Sequence, residues 1–304
     1  MNRIMLARNQ FANRLAAQAI TALLVTALGG LLATAQAAPI RFATISWAQQ
    51  SGTSTVDFNV QTAWRSSDFG SPVVGSTVNL GLNFNFGDGT TAAMLGTTNT
   101  VVSFSNWFMA STSFTHTYTG TEFDAGFAGF STLPDLQNSN ANKNFAISTK
   151  VRVPQGGAER SPNSTALPVL FLPLGSGTQV FNMPAVVFGG NSLRYVLDAL
   201  GGDPAQPGFF SLNGFNGLLS VDTSAASVQS GLYDLRYRLE SVNGNGQVQS
   251  STSVYMLMDL ICTTGSSCSN PGPPPAQDLP EPGSMALMLL GLLALVSRCR
   301  IRLL

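Results

Sequence analysis

The sequence has little charge and almost no lysine. Charged residues make up 10% of the 304 residues, against about 25% in an average soluble domain. Lys143 and Lys150 are the only lysines. With residues 1–37 and 284–304 set aside, nine bases face 15 acids, a net charge of −6. This balance argues against nucleic acid and anionic lipid as partners.

Histidine is nearly absent as well, which weakens the case for an enzyme. His116 is the only histidine, and no G-x-S-x-G context surrounds any serine. A pairing of His116 with Asp88 lacks the nucleophile and oxyanion hole that acyl transfer needs. We therefore predict no catalytic residues. The alternative is a secreted glycan-acting hydrolase whose site lies in the predicted loop Gly120–Asn144, where it would need two carboxylates about 5–10 Å apart.

Metal ligands are too dispersed to predict a metal site or a cofactor. Calcium takes six to eight oxygens, usually from closely spaced acids, and no D-x-D-x-D run is present. Calcium is therefore possible but unsupported. The scattered acids that could contribute are Asp57, Asp68, Asp88, Glu122, Asp124 and Asp135.

Cysteine is scarce, with three in the chain. Cys262 and Cys268 enclose a five-residue loop near the end of the folded body. In an exported protein, such a pair predicts a local disulfide.

The first 37 residues have the three regions of a secretory signal peptide. Residues 1–14 carry three arginines and no acid, and residues 15–32 are apolar and rich in alanine. Ala35 and Ala37 then supply the small residues of an A-x-A cleavage site. The pattern predicts export across the inner membrane.

The last 26 residues form a second signal. Pro280, Glu281, Pro282 and Gly283 precede an apolar run at 285–296. A basic cap follows, formed by Arg298, Arg300 and Arg302. Basic residues stay on the cytoplasmic side and stop translocation, and the run is short for a span, which needs about 17–25 residues.

This tail resembles the PEP-CTERM sorting signal of exported Gram-negative bacterial proteins. The resemblance implies that an exosortase-type processing enzyme is a partner. It also implies that the C-terminal helix holds the chain in the membrane before processing. A permanent membrane anchor is the alternative.

Between the two signals, the body consists of short β-rich segments separated by Gly, Asn, Ser and Pro. Thr55–Trp64 shows alternation of apolar and polar residues, with Val56, Phe58 and Val60 on one face. Repeated strands with frequent turns predict an all-β fold, here two tandem immunoglobulin-like β-sandwich domains. The predicted units are a signal peptide (1–37), two sandwiches (38–155 and 156–265), a Pro-rich spacer with the PEP motif (266–283), and a sorting helix with basic cap (284–304).

The first sandwich contains a glycine-flanked acid followed at a distance by a histidine–tyrosine strand. Gly87, Asp88 and Gly89 predict a tight turn, and His116 and Tyr118 lie in the later segment. The combination resembles PKD-like domains. The resemblance implies that these five residues are structural and that the turn lies beside the strand.

The second sandwich resembles cadherin-like, immunoglobulin-like domains of bacterial surface proteins. The resemblance rests on the order of four segments, 193–197, 217–222, 231–237 and 251–259. The acidic stretch expected before the first of them is replaced by residues 186–191, which contain no acid. Only weak calcium ligands remain there, namely Asp198, Asp203 and Asp222.

Two groups of aromatic residues are candidate sugar contacts or core residues. The tryptophans Trp47, Trp64 and Trp107 lie in predicted strands, where core packing is the usual role. Phe209 and Phe210 lie in a predicted loop and are the better candidates for an exposed contact, with anchoring of the loop as the equal alternative.

Together these features predict an exported protein with a structural or adhesive role. Its expected location is the outer envelope or the exopolysaccharide matrix of a Gram-negative bacterium. The expected partner is extracellular polysaccharide or cell-surface glycan.

Overall fold

The computed structural model describes residues 40–103, 106–138, 141, 143–198, 208–225 and 228–262. Within these ranges the chain forms β-strands and one short 3-10 helix, Ser66–Phe69, which confirms the all-β prediction. The signal peptide, the spacer, the PEP motif, the sorting helix and the basic cap lie outside the described residues. Among the residues that are described, no helix has the length and apolarity to cross a membrane.

Sixteen strands can be numbered along these ranges. They are β1 Ile40–Gln49, β2 Thr55–Arg65, β3 Thr77–Asn85, β4 Thr91–Val102, β5 Trp107–Thr117, β6 Glu122–Ser131, β7 Asn144–Arg152, β8 Asn163–Ser164, β9 Val169–Pro173, β10 Thr178–Asn182, β11 Ala185–Val186, β12 Ser192–Leu197, β13 Phe210–Leu212, β14 Leu218–Asp222, β15 Gly231–Val242 and β16 Val248–Ile261.

Alternation along the strands separates core from surface. In β2, Val56, Phe58 and Val60 are buried, while Asp57 and Asn59 between them are exposed. Successive side chains of a strand point to opposite faces, so this pattern gives one apolar and one polar face. The predicted strand therefore takes the orientation that its sequence indicates.

Eight strands form a closed hydrogen-bonded ring around the first core. Their order is β1-β2-β5-β4-β3-β6-β7-β16, and β16 pairs again with β1. Three joints are narrow. β3 meets β6 through the single pair Asn85–Gly126, β7 meets β16 only at Ser251 and Thr252, and β16 meets β1 only at Tyr255 and Val254. The ring thus resembles two facing sheets joined at their corners, as in a sandwich.

β16 also belongs to a second core. Tyr255 and Leu257 pack in the first core, whereas Met256 and Met258 face the second. On its other edge, β16 pairs with β15, which pairs with β12. One strand from the C-terminal half therefore completes the N-terminal core. The domain boundary predicted between residues 155 and 156 assigns that strand to the second domain.

One local expectation was wrong. The predicted loop Gly120–Asn144 contains β6. Gly and Ala give β6 a low strand propensity, but nonlocal pairing with β7 overrides it.

Candidate functional site: a polar groove beside the Asp88 turn

The turn between β3 and β4 is built around Asp88. Gly87 and Gly89 adopt φ values of 85° and 92°, a region that glycine enters without steric cost. One carboxylate oxygen of Asp88 accepts hydrogen bonds from the backbone N and the hydroxyl of Thr90, at 3.0 and 2.6 Å. A Cβ added at Gly87 would lie 2.5 Å from the Asp124 carbonyl oxygen. The turn is therefore packed directly on β6.

His116 connects this turn to the far end of β5. Its Nε2 lies 2.7 Å from Asp88 Oδ2. The imidazole stacks on Phe86 with a centroid distance of 4.2 Å and meets the ring of Tyr118 edge-on. The Tyr118 hydroxyl donates to the Phe86 carbonyl at 2.8 Å, and burial raises the pKa of Tyr118. The structure thus brings the five predicted turn residues together, with His116 hydrogen-bonded to Asp88 and Tyr118 hydrogen-bonded to the backbone of Phe86.

The ionisation of Asp88 makes this network pH-dependent. Burial raises the pKa of its carboxyl, but hydrogen bonds from Thr90 and His116 outweigh that effect and lower the pKa to about 2. The pKa of an aspartate in the unfolded chain is near 3.9. The ionised Asp88 carboxylate therefore stabilises the folded protein fully above that pH, and this stabilisation is lost as the pH falls toward 2.

We expect Asp88→Asn to reduce the free energy of unfolding by about 1–2 kcal/mol at pH 7 and by much less near pH 2. Urea unfolding at both pH values measures this, with the exposed Asp68→Asn as the control; a pH-independent loss would contradict it.

The two glycines of the turn should respond differently to alanine. Gly89→Ala meets no atom within 4 Å and should cost only the left-handed backbone, about 1–2 kcal/mol. Gly87→Ala adds the overlap with β6, and overpacking costs about 1–3 kcal/mol more. Urea denaturation of the two variants compares them directly. Equal losses would show that the turn does not press on β6.

Beside the turn, the outer faces of β3, β6 and β7 form a groove of about 440 Å³. Its exposed side chains are mostly small or neutral and polar, and Asp124 is the one carboxylate among the lining residues. The lining residues are Asn83, Asn85, Thr91, Asp124, Ala125, Gly126, Phe127, Ala128, Ala146, Ile147, Ser148 and Arg236.

A close approach of two backbones explains the floor of the groove. Gly126 lies opposite Ser148 in the β6–β7 ladder, and a Cβ there would overlap the Ile147 carbonyl oxygen. Only glycine fits at this position, so the floor is backbone with no side chain above it. The groove is consequently open to the solvent along β6.

Arg236 from β15 forms one wall. Its side chain is 10% exposed, and one guanidinium nitrogen lies 3.5 Å from Asp198 Oδ2. Burial lowers the pKa of Arg236, and the charge of Asp198 acts against that shift. Arg238 lies 3.7 Å from Asp198 and 2.9 Å from Glu240, and Arg194 lies 2.6 Å from Glu240. A ladder of alternating charges therefore runs from the groove across β15 and β12.

The weak calcium ligands of the second half have other partners or lie elsewhere. Asp198 lies beside two arginines, and Asp222 accepts hydrogen bonds from the Ser224 hydroxyl and backbone. Asp203 lies outside the described residues. In the part of the chain that the structure describes, no three His, Cys, Asp or Glu side chains are placed to hold a metal ion.

The predicted aromatic contacts and the predicted disulfide are the remaining candidates. Trp47 and Trp64 are buried in the first core. The expectation that Phe210 is exposed was wrong, because it is 6% exposed and packs in the second core near Tyr233. Cys262 follows β16, whereas Cys268 lies outside the described residues, so their disulfide stays a prediction.

Two segments of the chain match protein families. Residues 41–154, which span β2–β7 and most of β1, match the N-terminal domain of integrin beta-like protein A-E. Residues 278–301 match the PEP-CTERM protein-sorting motif. The tail is a PEP-CTERM sorting signal. The motif implies export, association with the bacterial envelope and processing by an exosortase-type enzyme. No curated protein matches the chain.

The sequence did not predict every feature of the site and its family matches. The PKD-like and cadherin-like resemblances stay predictions, and the integrin beta-like match was not predicted. The groove was missed because its lining residues come from β3, β4, β6, β7 and β15, which no short motif connects. The run of alternating charges at Asp234, Arg236, Arg238 and Glu240 was the one signal that could have indicated a polar face.

Proposed function

We propose that this protein is a surface or exopolysaccharide-matrix protein with a structural or adhesive role, which holds glycan in the polar groove without turning it over. The sorting motif at residues 278–301 carries the proposal, because it destines the chain for the envelope. The integrin beta-like match over residues 41–154 supports an adhesive role. The site of action is the outer envelope or extracellular matrix of a Gram-negative bacterium.

The groove has the chemistry of a weak glycan contact. Asn83, Thr91 and Ser148 offer neutral hydrogen-bonding groups on exposed strand positions. Ala128 and Ala146 lie directly opposite each other in the β6–β7 ladder, and their small side chains leave room for a sugar ring above them. An open polar surface binds small ligands weakly, and many displayed copies raise the avidity. The Pro-rich spacer at residues 266–283 would hold the body away from the membrane.

The lining of the groove favours binding over hydrolysis. A glycosidase needs two carboxylates flanking the scissile bond, and Asp124 is the one carboxylate among the described lining residues. The rigid β6–β7 ladder, with a floor of backbone, supports a role in holding rather than in distorting a sugar.

Intact-mass analysis tests the processing step. We expect the exported protein to end near Gly283, because the Pro280-Glu281-Pro282 element precedes a short apolar run with a basic cap. A variant with Glu281→Ala should retain the tail if the acid is read by the processing enzyme. A wild-type mass that includes residues 284–304 would favour the permanently anchored alternative.

A polysaccharide panel tests the binding step. The processed protein should be retained by at least one matrix polysaccharide and release no reducing ends. An Ala146→Trp variant, which fills the groove, should lose retention while keeping its fold. Release of reducing ends that disappears in Asp124→Asn would replace the adhesive role with that of a hydrolase.

A further inference from the structure

We propose that the outer edge of β10 pairs with β10 of a second copy, which joins two molecules through one continuous sheet. The observation that carries this proposal is a row of backbone donors and acceptors at Thr178, Val180 and Asn182 that faces away from the protein. This edge shares no residue with the polar groove.

The hydrogen bonds of β10 determine which of its residues face outward. β10 is the outer strand of a three-stranded sheet with the order β10-β14-β13. Just before β10, Thr223 donates to the carbonyl of Gly177, and just after it Met183 donates to the carbonyl of Gly217. Hydrogen-bonded positions alternate along an antiparallel pair. The odd-numbered residues of β10 therefore bond to β14.

The even-numbered residues Thr178, Val180 and Asn182 consequently direct their N–H and C=O groups away from β14. In the part of the chain that the structure describes, no strand lies along this edge, and none of these groups has a backbone partner in a turn or loop. All three residues are exposed, and Val180 at the centre is 56% exposed. Such a row is a template for another strand.

Other edge strands of the fold are protected, whereas β10 is not. β12 ends the large sheet, but it carries the charge of Arg194, and the backbone N of its Tyr195 donates to Gly214. β13, on the far side of the small sheet, has only three residues. Charges, covering loops and short strands prevent pairing between edges. β10 has five residues without a charge or a proline, and its register with β14 has no bulge.

The sequence of β10 is complementary to itself. In an antiparallel pair centred on Val180, that residue lies opposite its own copy, and Thr178 lies opposite Asn182 of the second copy. Each of these residues then both donates and accepts a backbone hydrogen bond. The side chains that meet are neutral, so no like charges oppose one another. The result is a closed two-fold pair that uses the same surface of both copies.

Apolar side chains on the outward face of the sheet favour the same partner. Val180 lies diagonally across the β10–β14 ladder from Leu218, which is 39% exposed. Two-fold pairing would place the two copies of Val180 side by side, between the two copies of Leu218. Contacts between neighbouring apolar side chains on one face stabilise a sheet.

The contact suits a protein displayed in many copies. Two strands of this length bury little surface, and small interfaces associate weakly. Copies associated with the same envelope have a high local concentration, which strengthens weak contacts through avidity. Pairing at β10 would therefore connect displayed copies and leave the polar groove open.

Analytical ultracentrifugation of the exported protein tests the proposal. We expect a monomer–dimer equilibrium that shifts toward the dimer as the concentration rises. Val180→Lys should weaken dimerisation by at least about tenfold, because it places two like charges opposite each other at the two-fold axis. Val74→Lys is the matched control, since Val74 is 64% exposed and lies outside β10. It should change dimerisation by less than about twofold.

Hydrogen exchange locates the contact without a substitution. Amides of residues 178–182 in the wild type should exchange more slowly in a concentrated sample than in a dilute one, because pairing protects them. A protein that stays monomeric at every concentration would overturn the proposal. A dimer that forms equally well in Val180→Lys and Val74→Lys, or that leaves exchange at residues 178–182 unchanged, would overturn it too. The polysaccharide panel is a separate measurement, so the glycan-binding proposal and this one can fail independently.

Discussion

A chain that stops after β7, at residue 155, should fail to fold, although it contains the whole segment that matches the integrin beta-like domain. The reason is that β16 closes the ring between β7 and β1 and inserts Tyr255 and Leu257 into the first core. Without it, two strand edges are unpaired and the core has a gap. Such edges and cavities both destabilise a fold or promote aggregation.

Far-UV circular dichroism and thermal unfolding measure this effect. Residues 38–262, which include β16, serve as the control and should unfold in one cooperative transition. Restoration of structure by a synthetic peptide of residues 248–261 would identify the missing strand as the cause. Cooperative unfolding of residues 38–155 alone would contradict the expectation and show that the boundary predicted from the sequence separates two autonomous domains.

Substitution of Tyr255 should have the largest effect of any single change considered, but only when the ring is removed. The side chain is fully buried and packs edge-on against Phe145, with centroids 5.0 Å apart. We expect Tyr255→Ala to cost about 3–5 kcal/mol, as for other large aromatic truncations. Tyr255→Phe keeps the ring and removes a buried hydroxyl that has no hydrogen-bond partner among the described residues, so it should be neutral or slightly stabilising.

Urea unfolding of the two variants at pH 7 gives both free energies. Burial and the charge of Asp234 raise the pKa of Tyr255 well above its usual value, so the hydroxyl stays neutral at this pH. A loss above about 1.5 kcal/mol in Tyr255→Phe would show that the hydroxyl makes a stabilising hydrogen bond.

The loop after β6 connects the groove to the second core. Leu136 bridges to Leu232 at the start of β15. Asn138 donates to the backbone carbonyl of Asp234 at 3.1 Å and also to its carboxylate. These contacts hold β15 against the loop after β6, and the contact at Asp234 lies two residues before Arg236. The wall of the groove is therefore positioned by the same contacts that join the two cores.

Much of the local structure was determined by the sequence alone. The alternation of apolar and polar residues from Val56 to Gln61 is the alternation of core and surface in β2, because the side-chain period of a strand is two residues. Gly87 and Gly89 determined a turn, because left-handed backbone excludes most other residues. The tail was recognisable because a sorting signal consists of contiguous residues and needs no tertiary partner.

The tertiary structure alone decided which strands pair and where the groove lies. β16 follows β1 by about 200 residues, and nothing in its apolar run specifies that one face serves each core. β6 was missed because Gly126, which weakens local strand propensity, is required by the close approach of Ile147. Arg236 and Asp124 meet at one groove only through the order β6-β7-β16-β15. Strand partners are chosen by nonlocal burial and register, which a single sequence does not contain in any local pattern.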